Sequence, residues 1–343
     1  MVRLNNRIVG IDIVRTIAIL FVIAGHFFSL HTNYRNVSFE GFPMFLQGFF
    51  AQIFSTGVPL FMILTGYLNC NKEVNKKYFK GISRVLIAYV VFSIISIFFR
   101  KFYLEESYST FQWIMKITDY SAMPYSWYIE MWIGLFLMTP FLNYLYKAIP
   151  TKREKFIGLI ILFLLMALPD FFNRYGMYLM PGYWKSAAFP LFFFFSGSFI
   201  HEYQIKINVS TGLTAIATIC LIQPLGNIIL FKNHDIVEFM AGPSGPFLSI
   251  VGIIVFILVY HLDIKQKYIR GFITRCAVVS LEMYLCCYIF DMLYYPYFKD
   301  HYYVNQSQFG LYFFIIVPLI FFSSFCLAWI YNTLYNIIVQ KKE

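Results

Sequence analysis

The chain has 343 residues, of which 59% are hydrophobic and only 13% are charged, and its formal net charge is +10. A soluble globular domain contains roughly 45–50% apolar and about 25% charged residues, so this composition excludes an ordinary soluble fold. The excess of positive charge lies between apolar runs, which indicates a membrane-topology signal rather than a nucleic-acid-binding surface.

The N-terminal segment resembles a signal peptide only at first sight. Arg3 and Arg7 precede an apolar run, but that run contains Asp12 and Arg15, and no small-residue cleavage site follows it. We therefore predict a retained first transmembrane helix. The six cysteines form no CxxC pair and lie mostly inside apolar stretches, so neither a disulfide framework nor a zinc site is indicated.

Ten apolar runs between polar breaks are predicted to cross a hydrocarbon core of about 30 Å. They cover residues 10–31, 43–69, 80–100, 125–146, 156–171, 186–202, 209–231, 245–262, 277–297 and 310–338. No remaining segment is long enough for a soluble domain. We therefore predict an all-α integral membrane protein, a bundle of about ten transmembrane helices that forms one domain over residues 1–343.

The basic residues predict the orientation of this bundle. An even number of spans puts both termini on one side of the membrane. If that side is the cytoplasm, the inner segments hold seventeen Lys and Arg residues and the outer segments hold eight; with Arg15 and Arg84 inside the membrane, this accounts for all 27. Cytoplasmic loops carry an excess of Lys and Arg, so we predict that both termini are cytoplasmic.

Several ionisable side chains lie inside the predicted spans, and each is a functional hypothesis because its burial in lipid costs a few kcal/mol. At about 1.5 Å per residue, Arg15, Arg84 and Glu282 share one level in the inner leaflet. Asp12 is predicted at the inner interface, in water. Arg84 could instead snorkel to the interface, and Glu282 could make only an interhelical hydrogen bond.

An outer layer contains His26 and Glu130, with Asp291 close to it. Glu130 and Asp291 could each be no more than a satisfied interhelical hydrogen bond. Arg15 and His26 are harder to explain in that way. They are eleven residues apart, which places them within about 20° on one face of the first helix and about 16.5 Å apart along its axis. This stripe predicts a face turned toward the bundle interior or a cavity.

The pattern of these residues resembles that of the acyltransferase-3 family, in which the first helix carries an Arg followed, after ten further residues, by a His. Arg15 and His26 have this spacing here, following Gly10-Ile-Asp-Ile-Val. Later motifs are similar to the family's in the same order: Val58-Pro-Leu-Phe with Thr65-Gly-Tyr, a basic loop leading to Arg84, Ser126-Trp-Tyr with Glu130 and Pro140, and Ser280-Leu-Glu-Met-Tyr-Leu. The resemblance covers the whole chain and implies a single membrane acyltransferase domain of ten helices.

Two positions depart from the family's pattern. Thr65 stands where Ser is usual, which keeps the hydroxyl. Cys287 stands where the late motif commonly has a His, so any role of that His is absent here or belongs to another residue.

The resemblance implies an O-acyltransferase that moves an acyl group, most often acetyl, from cytoplasmic acyl-CoA to a hydroxyl of a cell-surface or lipid-linked glycan. It also implies a multi-pass protein of the bacterial cytoplasmic membrane. Acetyl-CoA would be the donor substrate, with no bound cofactor and no metal. The partners implied are the lipid bilayer, acyl-CoA and the glycan acceptor, without nucleic acid and with a homodimer left open.

Within this chemistry, His26 is the candidate general base, because a neutral imidazole can take the hydroxyl proton and return it to the thiolate. A covalent acyl-His intermediate is the open alternative. Glu130 could orient the imidazole. Donor binding is assigned to an inner set: Arg15, Arg84, Glu282 and Thr65. The arginines could hold the CoA phosphates through charge-assisted hydrogen bonds.

A second class of function is also compatible with the intramembrane charges. A transporter or flippase for a lipid-linked glycan would use them as a proton or substrate path. The sequence shows no internal repeat, which disfavours a transporter built from duplicated halves. Turnover of acetyl-CoA would separate an enzyme from a transporter.

Overall fold

A computed structural model describes residues 8–33, 37, 41–173, 178, 180–230 and 245–340. Within these residues the chain is helical and contains no β-strand. The helices α1 to α15 are Val9–Ser29, Gly41–Phe54, Gly57–Asn69, Lys76–Lys80, Ile82–Phe102, Thr110–Thr118, Trp127–Ala148, Lys152–Phe172, Lys185–Tyr203, Val209–Leu230, Pro246–Val259, Lys267–Val278, Ser280–Tyr302, Gln306–Phe309 and Phe313–Gln340. The predicted all-α class is confirmed.

Each of the ten predicted spans overlaps at least one of these helices. In the described part of the chain, five helical segments are long and apolar enough to cross a membrane, and the bent pair α12 and α13 would be a sixth. The five are Val9–Ser29, Gly41–Asn69, Lys76–Phe102, Val209–Gly226 and Gln306–Ile338. The count of about ten spans and the cytoplasmic termini stay predictions.

The predicted span 43–69 is two helices, since α2 ends at Phe54 and α3 begins at Gly57. The break is closed by two hydroxyls. Ser55 Oγ donates to the Ala51 carbonyl and Thr56 Oγ1 to the Ile53 carbonyl, each at 2.7 Å. The same carbonyls also accept from backbone amides, Ala51 from Ser55 at 3.0 Å and Ile53 from Thr56 at 3.2 Å. The two hydroxyls therefore find hydrogen-bond partners locally, within the last turn of α2.

Helix α1 lies at the centre of the bundle. It packs against α2, α3, α11, α12, α13 and α15. In its most apolar window 67% of the residues are buried, against 33% for the window at Gln306–Ile338. The helix that carries Arg15 and His26 is thus enclosed by other helices, as their shared face predicted.

Helix α3 is fixed against α9 by two glycines. A Cβ atom at Gly66 would collide with the Phe194 carbonyl, and one at Gly197 would collide with the Ile63 carbonyl. Only glycine allows this backbone approach, which is a usual way to pack helices in lipid. The contact fixes the position of α3, which also packs on α1.

The predicted orientation can be tested with two new cysteines at exposed positions. Lys77→Cys lies in a predicted cytoplasmic segment, and Ser107→Cys lies between α5 and α6 in a predicted outer loop. We expect a membrane-impermeant thiol reagent to label only Ser107→Cys in intact cells. The unmodified protein provides the background, since five of its six cysteines are buried. Labelling of Lys77→Cys instead would reverse the orientation.

Candidate active site

The end of α1 brings two histidines together. The backbone amides of Leu30 and His31 both donate to the His26 carbonyl, at 3.1 Å each. Thr32 Oγ1 also bonds back to the Phe27 carbonyl at 2.7 Å. This tight turn ends the helix and returns the His31 ring toward His26, with 6.3 Å between the two ring centroids.

Both imidazoles converge on Asp291 of α13, which is fully buried. His26 Nδ1 lies 3.0 Å from Asp291 Oδ2, and His31 Nε2 lies 3.3 Å from the same oxygen. The Tyr125 hydroxyl donates to this oxygen at 2.7 Å and is also hydrogen-bonded to His31. One carboxylate oxygen therefore has three polar partners, two from the end of α1 and one from the segment before α7.

The contacts with Asp291 define where the protons lie. A carboxylate only accepts hydrogen bonds, so His26 contacts it through a protonated Nδ1. In a neutral imidazole the other nitrogen, Nε2, is then the acceptor. The Tyr125 hydroxyl donates its single proton to Asp291, so its oxygen accepts the hydrogen bond from His31 Nε2. The Asp291 contact therefore selects the tautomer of the neutral ring in which Nε2 is the acceptor and is free of that contact.

Aromatic rings enclose this cluster, which we call the His–Asp cluster (His26, His31, Tyr125 and Asp291). The Tyr125 ring lies 4.0 Å from the His26 ring, and Tyr295 stacks on His31 at 4.6 Å. Polar contacts in such a low-dielectric setting are stronger than in water. The side chain of His26 is 12% exposed, while that of Asp291 is 0% exposed.

Tyr125 reaches the cluster because Arg100 anchors the segment that precedes it. Arg100 Nη1 donates to the carbonyls of Ser121 and Ala122, at 2.9 and 3.0 Å. The same guanidinium holds Glu106, with a shortest distance of 2.7 Å. A planar guanidinium suits this multiple attachment better than an ammonium would. Arg100 thus ties the end of α5 to the chain just before Tyr125.

Two cavities lie along α1. An outer cavity of about 410 Å³ is bordered by His26, Ser29, Tyr125 and Trp127, together with the break between α2 and α3. A second, inner cavity of about 200 Å³ is bordered by Arg15. The stripe predicted on α1 therefore faces two cavities, one at each of its polar ends.

Arg15 and Thr65, two of the residues assigned to donor binding, both line the inner cavity. Thr65 Oγ1 donates to the carbonyl of Phe61 at 2.9 Å. Arg15 Nη1 lies 3.9 Å from Asp12 Oδ1. The prediction that Asp12 lies in water is wrong, because its side chain is buried and accepts a hydrogen bond from Thr274 at 3.1 Å.

Arg84 and Glu282, the other two residues assigned to donor binding, contact each other outside the border of the inner cavity. Arg84 Nη2 lies 3.4 Å from Glu282 Oε1 and donates to Asn332 Oδ1 at 3.0 Å. The Arg84 guanidinium also lies over the Tyr335 ring. These side chains link α5, α13 and α15 to one another. They do not border the inner cavity that Arg15 and Thr65 line.

Glu130 was expected to orient His26, but Asp291 occupies that place. Glu130 lies in the first turn of α7 and is exposed. The hydrogen-bond partner of the imidazole comes instead from α13. The described part of the chain also brings ligand atoms of His26, Cys287 and Asp291 within 4.8 Å of one another, so these three are the residues that could hold a metal ion.

Sequence reasoning missed His31 and Tyr125. His31 falls at the edge of the predicted first span and belongs to no periodic pattern, while Tyr125 comes directly before the Ser126-Trp-Tyr motif. A signal was available in the short distance along the chain from His26 to His31, because a turn that ends a helix can return the following side chain onto its last turn.

The fold and the site define a helical membrane protein in which a buried aspartate orients a histidine at the wall of an internal cavity. A comparison with protein families places this in context. The model of the acyltransferase-3 family, described as an acyltransferase domain, matches residues 8–333. The chain belongs to this family, and the resemblance read from its motifs is confirmed. No curated protein and no solved structure matches the chain.

Proposed function

We propose that the protein transfers an acyl group, most often acetyl, from cytoplasmic acyl-CoA to a hydroxyl of a cell-surface or lipid-linked glycan. Membership of an acyltransferase family supports this reaction class. The single observation that supports the rest is the pairing of His26 with Asp291 at the wall of the outer cavity, because His26 lies on the same helix as Arg15 of the inner cavity. One helix then serves both substrates.

In this mechanism His26 Nε2 accepts the proton of the acceptor hydroxyl as its oxygen attacks the thioester carbonyl. The carbon–oxygen bond forms, the carbon–sulfur bond breaks, and the imidazolium returns the proton to the departing thiolate. Asp291 stabilises the imidazolium through Nδ1–H and keeps the reactive tautomer in place. Tyr125 and His31 hold the carboxylate for this role.

Arg15 is the residue proposed to bind the acyl-CoA donor. CoA carries several phosphates, and Arg15 borders a cavity that opens in the predicted inner half of the bundle. A guanidinium binds phosphate oxygens in pairs, which a lysine cannot reproduce. The thioester would extend toward His26 from this cavity, which Phe61 and Tyr128 also border.

We expect Arg15→Ala to weaken acetyl-CoA binding by about tenfold or more, with Arg15→Lys restoring only part of it, because charge-assisted hydrogen bonds contribute about 1.5–3 kcal/mol. Binding of radiolabelled acetyl-CoA to the purified protein measures this. Arg275→Ala, an exposed arginine of α12, is the matched control and should bind as wild type does. Wild-type affinity in Arg15→Ala would remove Arg15 from the donor site.

The acceptor can be tested by mass spectrometry of cell-surface glycans and glycolipids from cells with and without the gene. We expect acetyl esters, released by mild alkali, that disappear with the gene and return with the wild-type chain. Glycans that lose whole sugar units rather than esters would instead indicate a transporter. Return of the esters with the His26→Asn variant would contradict the proposed chemistry.

A further inference from the structure

A third cavity lies away from the active site, between α8, α9 and α11. Its volume is about 830 Å³, and it shares no lining residue with either cavity along α1. Helix α8 lines it with Phe156, Leu159, Ile160 and Phe163, the spacing of a single helical face. The side chains of Phe156 and Ile160 remain 52% and 43% exposed. The cavity is therefore an open apolar groove on the side of the bundle.

The groove has the length of one lipid leaflet. Along α8 it runs from Arg153 to Phe163, ten residues, which corresponds to about 15 Å of helix. Half of a hydrocarbon core of about 30 Å is also about 15 Å. An acyl chain lying along α8 would therefore start at the membrane surface and end near the bilayer midplane.

Two cations border one end of the groove. Lys152 and Arg153 both line it, in the first turn of α8, where the helix dipole adds positive potential. Among the neighbouring charges, Lys155 is paired with Glu202 at 2.8 Å. Glu154 accepts from the Thr151 hydroxyl at 2.8 Å, a neutral partner that leaves its charge in place. Three cations against two carboxylates still give the mouth of the groove a net positive charge, beside an almost entirely apolar interior.

We propose that this groove binds an anionic glycerophospholipid of the inner leaflet, with its phosphate at Lys152 and Arg153 and an acyl chain along α8. Basic pockets between membrane helices on the cytoplasmic side suit anionic head groups. Charge complementarity at the mouth and the one-leaflet length together identify the ligand class. The site is independent of acyl transfer, because it contains none of the residues of the two cavities along α1.

The test is lipid retention by the purified full chain. The protein is reconstituted into vesicles of phosphatidylcholine and phosphatidylglycerol, re-extracted in detergent and weighed by native mass spectrometry. We expect wild type to retain phosphatidylglycerol in preference to phosphatidylcholine. The double variant Lys152→Gln/Arg153→Gln should lose this retention by about tenfold or more. Ile253→Trp, which fills the groove and leaves the cations, should also expel the lipid.

Lys265→Gln/Lys267→Gln is the matched control, since it removes two exposed charges from another predicted cytoplasmic segment and should retain the lipid. The proposal is overturned by equal retention of phosphatidylcholine, by wild-type retention in the double variant, or by retention in Ile253→Trp. A dimer that carries no lipid would also overturn it.

Discussion

His26→Asn should abolish acyl transfer while leaving the protein folded and able to bind acetyl-CoA. Asparagine can still hydrogen-bond but cannot carry a proton, so the loss of a general base should lower the rate by about 10²–10⁴-fold. The measurement is acetyl-CoA turnover in the presence of a glycan and glycolipid extract. Binding of the donor should persist, because Arg15 lies in the other cavity.

His301→Asn is the matched control for this variant, since His301 is an exposed histidine at the end of α13. It should turn over at the wild-type rate. If His26→Asn keeps more than about a tenth of wild-type turnover, a loss below the smallest expected for a general base, then His26 is only a satisfied intramembrane histidine. The base would then have to be sought elsewhere in the cluster.

Asp291→Asn should reduce turnover by roughly 10²–10⁴-fold with little change in the KM for acetyl-CoA. An amide cannot stabilise the imidazolium as a carboxylate does, and its NH₂ group can hold the wrong tautomer of His26. The neutral side chain costs less to bury than a charge, so the folded yield should not fall. The loss in kcat at constant KM distinguishes this role from a general structural one.

Tyr125→Phe gives the graded comparison for Asp291→Asn. It removes one of the three contacts to Asp291 Oδ2 and keeps the ring, so we expect a loss of about tenfold, the range for one hydrogen bond to a charged group. If Asp291→Asn retains wild-type kcat, the carboxylate does not support His26. A fall in folded yield without a fall in kcat would also contradict its catalytic role.

The helices, and the spacing of charged residues along one helix, could be predicted from the sequence, because both depend on local order alone. Apolar runs define helices, and a rise of about 1.5 Å per residue gives depth. This was enough to find His26 and Arg15 on one face of α1. It also put Glu130 and Asp291 near the same outer level.

Depth alone could not decide which carboxylate meets His26. The choice depends on which face each helix turns toward α1, and that is set by packing between distant segments. Gly66 and Gly197 fix α3 against α9, while Asp291 faces α1 from the buried side of α13. Glu130 ends up on an exposed face of α7. The small residues can be seen in a single sequence, but the sequence does not show which two helices pack together at them.

Loop geometry was the other part that could not be predicted. Tyr125 reaches the cluster because Arg100 donates to two backbone carbonyls just before it. Every residue has a backbone carbonyl, so the sequence does not show which ones a side chain will bind. The break between α2 and α3, at Ser55 and Thr56, does not interrupt the apolar run from 43 to 69, so that run reads as one helix in the sequence. These irregular segments contribute residues to the border of the outer cavity.

The central claim is that the donor enters from the inner side and the ester forms at His26 on the outer side. Right-side-out membrane vesicles that enclose [¹⁴C]acetyl-CoA test it directly, with the label followed into alkali-labile esters of externally added glycolipid extract. We predict transfer of label by the wild-type protein and background transfer by His26→Asn. Label that reaches the acceptor equally well in both, or only when acetyl-CoA is supplied outside, would contradict the account.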